Sequence, residues 1–98
     1  MTTRIGKYIY DETNVTTAWT QVLPLNGQRK FATIVNTSDT NMWLKQSDIA
    51  PTGAAGTGIF VASGGFAYVI DGDNLWKGPV WMIHAGVGNK VASTEDGV

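Results

Sequence analysis

Apolar residues along this chain come only in short runs, each closed within a few positions by Gly, Asn, Asp or Ser. Runs of that length bounded by turn residues read as strands, and no segment carries the 3.6-residue period of an amphipathic helix. Helical bundles and layered α/β folds are thereby disfavoured, and the chain reads as all-β. The densest example is residues 31–45, FATIVNTSDTNMWLK. Thr33, Ile34 and Val35 are β-branched and favour an extended backbone. Asn36, Ser38 and Asp39 can bond their own backbone and stabilise a tight reversal. This stretch is expected to form a central β-hairpin, residues 31–35 against 42–44.

Tyr8, Ile9 and Tyr10, ahead of the polar residues 11–14, read as an edge strand or as an arm that packs on a neighbouring copy. Residues 16–23 alternate with period two and end at Pro24, which cannot donate to a ladder. Asn26-Gly27 is a turn signal. Residues 46–58, rich in Gly, Ala and Thr, make a loop long enough to be functional or mobile. Residues 58–61, 66–70, 80–85 and 90–94 read as further strands. The expected fold is a single-domain antiparallel β-sandwich, jelly-roll or Greek-key-like, of about 7–8 short strands. Residues 1–15 are its N-terminal arm or edge strand, 16–95 the sandwich and 96–98 a frayed tail.

The strands are apolar on both faces. Val80 and Met82 oppose Trp81 and Ile83; Phe66, Tyr68 and Ile70 oppose Ala67 and Val69; Met42 and Leu44 oppose Trp43. A sheet with one wet face alternates apolar with polar residues, and these strands do not. One face can fill the core. The other needs a cover that so short a chain is not expected to provide, so a protein neighbour is expected to provide it. The low charge content, 15% against about 25% in an average soluble domain, agrees. Trp is favoured at interface centres for its large area at low entropy cost, and the chain has 4 Trp. One or two are expected in the core and the rest as anchors, with Trp76, in a connector, the first choice. The candidate protein-interface residues are Tyr8, Tyr10, Trp43, Trp76 and Trp81.

Chemistry is poorly supplied. With no Cys, disulfides, thiol catalysis and Cys-based metal sites are excluded. His84 is the single His, so no second imidazole is present to share a metal or a proton. The carboxylates of Asp11, Glu12, Asp39, Asp48, Asp71, Asp73, Glu95 and Asp96 fall in turns, loops or chain ends rather than in apolar runs that would raise a pKa for acid–base work. The glycine-rich loop lacks the Lys-Ser or Lys-Thr of a phosphate loop, since Ile59 and Phe60 follow Gly58. Asp71 and Asp73 begin a calcium-loop pattern that Leu75, Trp76 and Met82 then break. The chain is therefore expected to be no enzyme and to hold no metal or cofactor. A net charge of −1, with dispersed basic residues, gives no reason to expect nucleic acid or membrane as a partner. No apolar run has signal-peptide or membrane-span length, so residence in a cytoplasm is expected.

The order of segments resembles that of small β-sandwich structural proteins of tailed bacteriophages. The residues that carry the likeness are Leu25-Asn26-Gly27-Gln28-Arg29-Lys30-Phe31, then Ile34-Val35-Asn36 with Ser38-Asp39-Thr40, then Met42-Trp43-Leu44. Gly58-Ile59, Gly64-Gly65-Phe66, Gly78-Pro79-Val80-Trp81-Met82-Ile83 and Lys90-Val91-Ala92-Ser93-Thr94-Glu95 follow. The resemblance implies a capsid decoration (cement) protein that binds the outer capsid surface and stabilises the mature head. Its partners would be the major capsid protein or other virion proteins and itself, as a homo-oligomer with a trimer favoured. Its place would be the virion, after assembly in the host cytoplasm. A head-fibre, tail or baseplate component is the near alternative, and a carbohydrate-binding β-sandwich the more distant one.

Overall fold

The structure, a computed structural model, describes residues 8–98, and the side chain of Tyr8 lies outside what it describes. The chain forms β1 (Tyr8–Val15), β2 (Thr20–Leu23), β3 (Phe31–Asn36), β4 (Met42–Gln46), β5 (Ile59–Val61), β6 (Phe66–Ile70), β7 (Val80–His84) and β8 (Lys90–Gly97). Two four-stranded sheets result, in the orders β1-β8-β3-β6 and β2-β7-β4-β5. The antiparallel pairs β1–β8, β2–β7, β3–β6 and β4–β5 are those of one long hairpin, folded between β4 and β5. Rolling that hairpin adds β3–β8 and β4–β7. This is the jelly roll, one of the two topologies expected.

Alternation sets which residues go inside. In β3, Ala32, Ile34 and Asn36 are buried and Phe31, Thr33 and Val35 are not. Ala32, Ile34, Met42, Leu44, Ile70, Val80, Met82 and Ala92 fill the space between the sheets, with Val15, Val22, Leu23 and Val61 around them. Each strand thus presents one apolar row to a shared core.

The expected hairpin of β3 with β4 does not form. β3 lies between β8 and β6 in one sheet, β4 between β7 and β5 in the other. The turn residues act as expected, but they carry a crossing between sheets. The Asn36 amide Nδ2 donates to the carbonyls of Thr40 (2.8 Å) and Val61 (2.9 Å), while its Oδ1 accepts from the Ser38 backbone (3.1 Å) and hydroxyl (2.6 Å). Asn36 is fully buried, so it joins the crossing to β5 with every polar atom used. Local turn chemistry is the same for a hairpin and for a crossing; only the tertiary pairing distinguishes them. Strand β2 begins at Thr20, later than expected, because Thr16 and Thr20 close a turn on Ala18: the Ala18 N–H donates to the Thr16 hydroxyl and the Thr20 hydroxyl to the Ala18 carbonyl.

Residues 96–98, expected to fray, do not do so as a unit: β8 runs through Gly97 and Asp96 is buried. The reason is Arg29, itself fully buried. Its Nε donates to Asp96 Oδ1 (2.8 Å) and its Nη2 to Oδ2 (3.1 Å). Nη1 donates to the carbonyls of Trp76 (2.9 Å) and Gly78 (3.0 Å), and Nη2 also to that of Pro24 (2.8 Å). All five guanidinium N–H groups find acceptors, and Asn26 Nδ2 adds a further bond to Asp96 (3.3 Å). Gly97 completes this end: a Cβ there would collide with the ring of Phe31, its partner across the ladder.

His84 is buried in the same self-sufficient way. Its Nε2 faces two acceptors, the carbonyls of Val15 (3.0 Å) and Gly88 (2.9 Å), while Nδ1 accepts the Gly86 N–H (2.9 Å). That arrangement selects the neutral tautomer protonated at Nε2 and locks the turn after β7.

Two predictions test these ties. Removing one partner of a buried ion pair strands the other, at a cost of about 3–5 kcal/mol. Arg29→Ala should therefore lower the free energy of unfolding measured by urea denaturation by an amount in that range, and Arg29→Lys should recover little, because an ammonium cannot span the same acceptors. At the surface, Lys90 Nζ donates to Asp39 Oδ1 (2.9 Å). That bond, with one from the Thr40 hydroxyl, holds the Asp39 carboxyl below its ordinary pKa. A folded-state pKa below the unfolded one means the tie is present at neutral pH and is lost as pH falls through the folded value. An NMR titration of Asp39 should show the lowered midpoint, and Lys90→Ala should raise it.

Candidate functional site

The residues that point away from the core of the second sheet form two cross-strand rows. Phe60 on β5 stands opposite Trp43 on β4, which stands opposite Ile83 on β7. Lys45 on β4 stands opposite Trp81 on β7, which stands opposite Gln21 on β2. The rings of Trp43 and Phe60 meet edge-on, with centroids 5.6 Å apart at 64°. The Lys45 ammonium lies 5.0 Å from the centre of the Trp19 ring, a cation–π distance.

This face was expected to need cover from another protein, and the chain covers much of it itself. Ile83 points outward yet is only 1% exposed. The Trp81 indole N–H donates to the Ser47 carbonyl (3.0 Å) and that of Trp19 to the Gly53 carbonyl (3.1 Å). The loop from β4 to β5 is therefore drawn across the outer face as part of a third layer. Its return into β5 passes so close to β4 that a Cβ on Gly58, at φ +108°, would meet the Leu44 carbonyl oxygen at 2.6 Å. Between the loop and the β4–β5 pair lies an open concavity of about 600 Å³, lined by Lys45, Gln46, Ile49, Pro51 and Ile59 among others.

What stays open lies at the edges of the sandwich. Along β5 and β6, Phe60 is 55% exposed, Phe66 65% and Val69 48%. On the opposite side, where β1 and β2 form the edges, Ile9 (63%) and Leu25 (69%) stand out. They line a second concavity of about 450 Å³ with Pro24, Asn26, Gln28, Asp96 and Val98. Because β1 and β6 are opposite edges of one sheet, and β2 and β5 of the other, these are two separate apolar surfaces on opposite sides of the molecule.

The five residues singled out from sequence are dispersed over this arrangement. Tyr8 belongs to β1 by its backbone, but its side chain lies outside the described residues. Tyr10 is exposed on the outer face of the first sheet, and its hydroxyl donates to Glu12 Oε2 (2.9 Å). That bond to a carboxylate raises the pKa of the phenol. Trp43 and Trp81 share the outer face of the second sheet and are half-buried. Trp76, the first choice as an anchor, is half-buried. It packs against the core, its ring lies where a Cβ on Gly78 would come within 2.6 Å, and its N–H donates to the Pro79 carbonyl (2.9 Å). Its connector is held down by Arg29, so the ring closes the end of the core. None of the four indoles belongs to the fully buried core, and none is widely exposed. Besides Tyr10, the most exposed large apolar side chains are Phe and aliphatic residues at edges and loops, which a search weighted toward Trp passes over.

Trp81→Phe removes the bond to Ser47 and leaves a smaller aromatic ring in place. A net cost of about 1 kcal/mol is expected, together with faster amide exchange in residues 47–58 and little change in the core strands. Hydrogen exchange read by mass spectrometry measures both.

Compared with models of protein families, with curated proteins and with solved structures, the chain matches none.

Proposed function

We propose that this chain is a virion structural protein of a tailed bacteriophage, a capsid decoration protein that binds the outer surface of the head and stabilises it. The observation that carries the reading is the pair of apolar surfaces on opposite sides of a small jelly roll. A protein that holds a shell together has to engage more than one neighbour, and two separate patches allow that. The resemblance of its segments to small phage structural proteins supports the reading. So does the use of the jelly roll in viral capsid domains, which is support by analogy of fold, since lectins use it as well.

The mechanism is mechanical rather than catalytic. Ile9, Pro24, Leu25 and Val98 offer the surface for the capsid, beside the edge strand β1 through which the N-terminal residues enter the fold. Burying them against assembled subunits, and not against dissociated ones, stabilises the shell by mass action. Partners are the major capsid protein and other copies of this chain. A head-fibre, tail or baseplate component would use the same surfaces, and labelling on intact particles separates these locations.

Purified protein added to expanded, undecorated capsids of the virus that encodes it should bind to saturation at a fixed ratio. Leu25→Asp should weaken that binding at least tenfold while leaving the unfolding midpoint close to wild type, because Leu25 is exposed and makes no core contact. Protein that fails to bind such capsids under any salt condition would refute the assignment.

A further inference from the structure

The edges of the two sheets differ in how they are protected against pairing. Native proteins blunt exposed strands with charge, proline, bulges or brevity. β1 carries Asp11 and Glu12; β2 is short, shifts register between Gln21 and Leu23 and ends at Pro24. Strands β5 and β6 and the turn between them carry no charged residue. Residues 49–70 contain no Asp, Glu, Lys, Arg or His, so every charged residue of the chain lies outside that run. The run comprises most of the β4–β5 loop, β5, the turn after it and β6. Its exposed members include Ile49, Ile59, Phe60, Phe66 and Val69.

We propose that this charge-free flank is where two copies of the chain meet, across a two-fold axis. Loss of charged residues is what marks the centre of a protein interface. Apart from Lys45 of β4, which lines the concavity beside Ile49 and Ile59, a charged partner would find nothing here to pair with, and would leave its own charge desolvated. The matching surface is a second uncharged one, and the flank itself is such a surface. A two-fold interface sets the same patch against itself and closes after two subunits.

The two copies meet through side chains rather than by continuing the sheet. Asn74 folds back along β6: its Nδ2 donates to the Val69 carbonyl (3.0 Å) and its Oδ1 accepts the Asp71 N–H (2.8 Å). That amide occupies the place a neighbouring strand would take at this end of β6. Ile59 and Phe66, at the edge between the sheets, are left to form the contact, with Phe60 and Val69, which face outward from opposite sheets, at its two rims. The proposed dimer is the alternative to the three-fold assembly that the sequence resemblance implies.

This inference stands apart from capsid binding, since it concerns the free protein. Light scattering on purified protein at micromolar concentration should give twice the 10.5 kDa chain mass. Phe66→Lys and Val69→Lys should each weaken the dimer at least tenfold with circular dichroism and unfolding midpoint preserved, whereas Leu25→Asp should leave the mass unchanged. A monomer at all concentrations up to the millimolar range would overturn the proposal, as would a trimer. So would a dimer indifferent to both lysines but dispersed by Leu25→Asp.

Discussion

The buried bond between Arg29 and Asp96 is the constraint on which the rest of this fold depends. A jelly roll brings its first and last strands together, and its ends have to be fixed. Here one guanidinium does so. It holds the carboxylate near the end of β8, the carbonyl of Pro24 after β2, and two carbonyls of the connector that leads into β7. Segments far apart in sequence are tied to one planar group whose donors are all used, which is the condition under which a buried charge is tolerated. With that end closed, Trp76 can lie on the core and Ile9, Leu25 and Val98 are presented as a surface around it.

Seen from this tie, several residues that carry the likeness to phage structural proteins are residues of architecture. Arg29 closes the end of the sandwich. Asn36 and Ser38 build the crossing from one sheet to the other. Gly78 gives the Trp76 ring its place, and Gly58 lets the loop return against β4. These positions specify a small jelly roll with a third layer over one sheet. The proposed contacts fall on exposed residues such as Leu25, Phe60 and Phe66, of which Leu25 and Phe66 also stand among the residues of the likeness. The ties are internal and the proposed contacts are not.

Much of the fold was legible in the residues themselves. Alternation placed Ala32 and Ile34 on one face and Trp43 opposite Met42 and Leu44, and the turn residues were placed where the chain turns. Strand partnership was not legible, because Asn36–Ser38 chemistry serves a crossing as well as a hairpin. The buried state of Asp96 was not legible either. A carboxylate close to a Gly near the end of the sequence reads as solvated until Arg29, distant in the chain, is seen to meet it. The surfaces were misjudged for a related reason. Indoles suggested anchors, but Trp19, Trp76 and Trp81 spend their N–H groups on the chain's own carbonyls. That reach lets a glycine-rich loop serve as the cover that seemed to require a partner. The surplus apolar surface is real but smaller, and it sits at the edges.

The central claim is that this edge surface exists to be covered by protein. Hydroxyl-radical footprinting of intact particles against diluted free protein, read residue by residue by mass spectrometry, tests it most directly. The account predicts that Leu25, Phe60 and Phe66 oxidise readily in the diluted chain and are protected on the particle, while Val87, exposed and outside both surfaces, reacts equally in the two. Equal reactivity of Leu25, Phe60 and Phe66 in both states would contradict it.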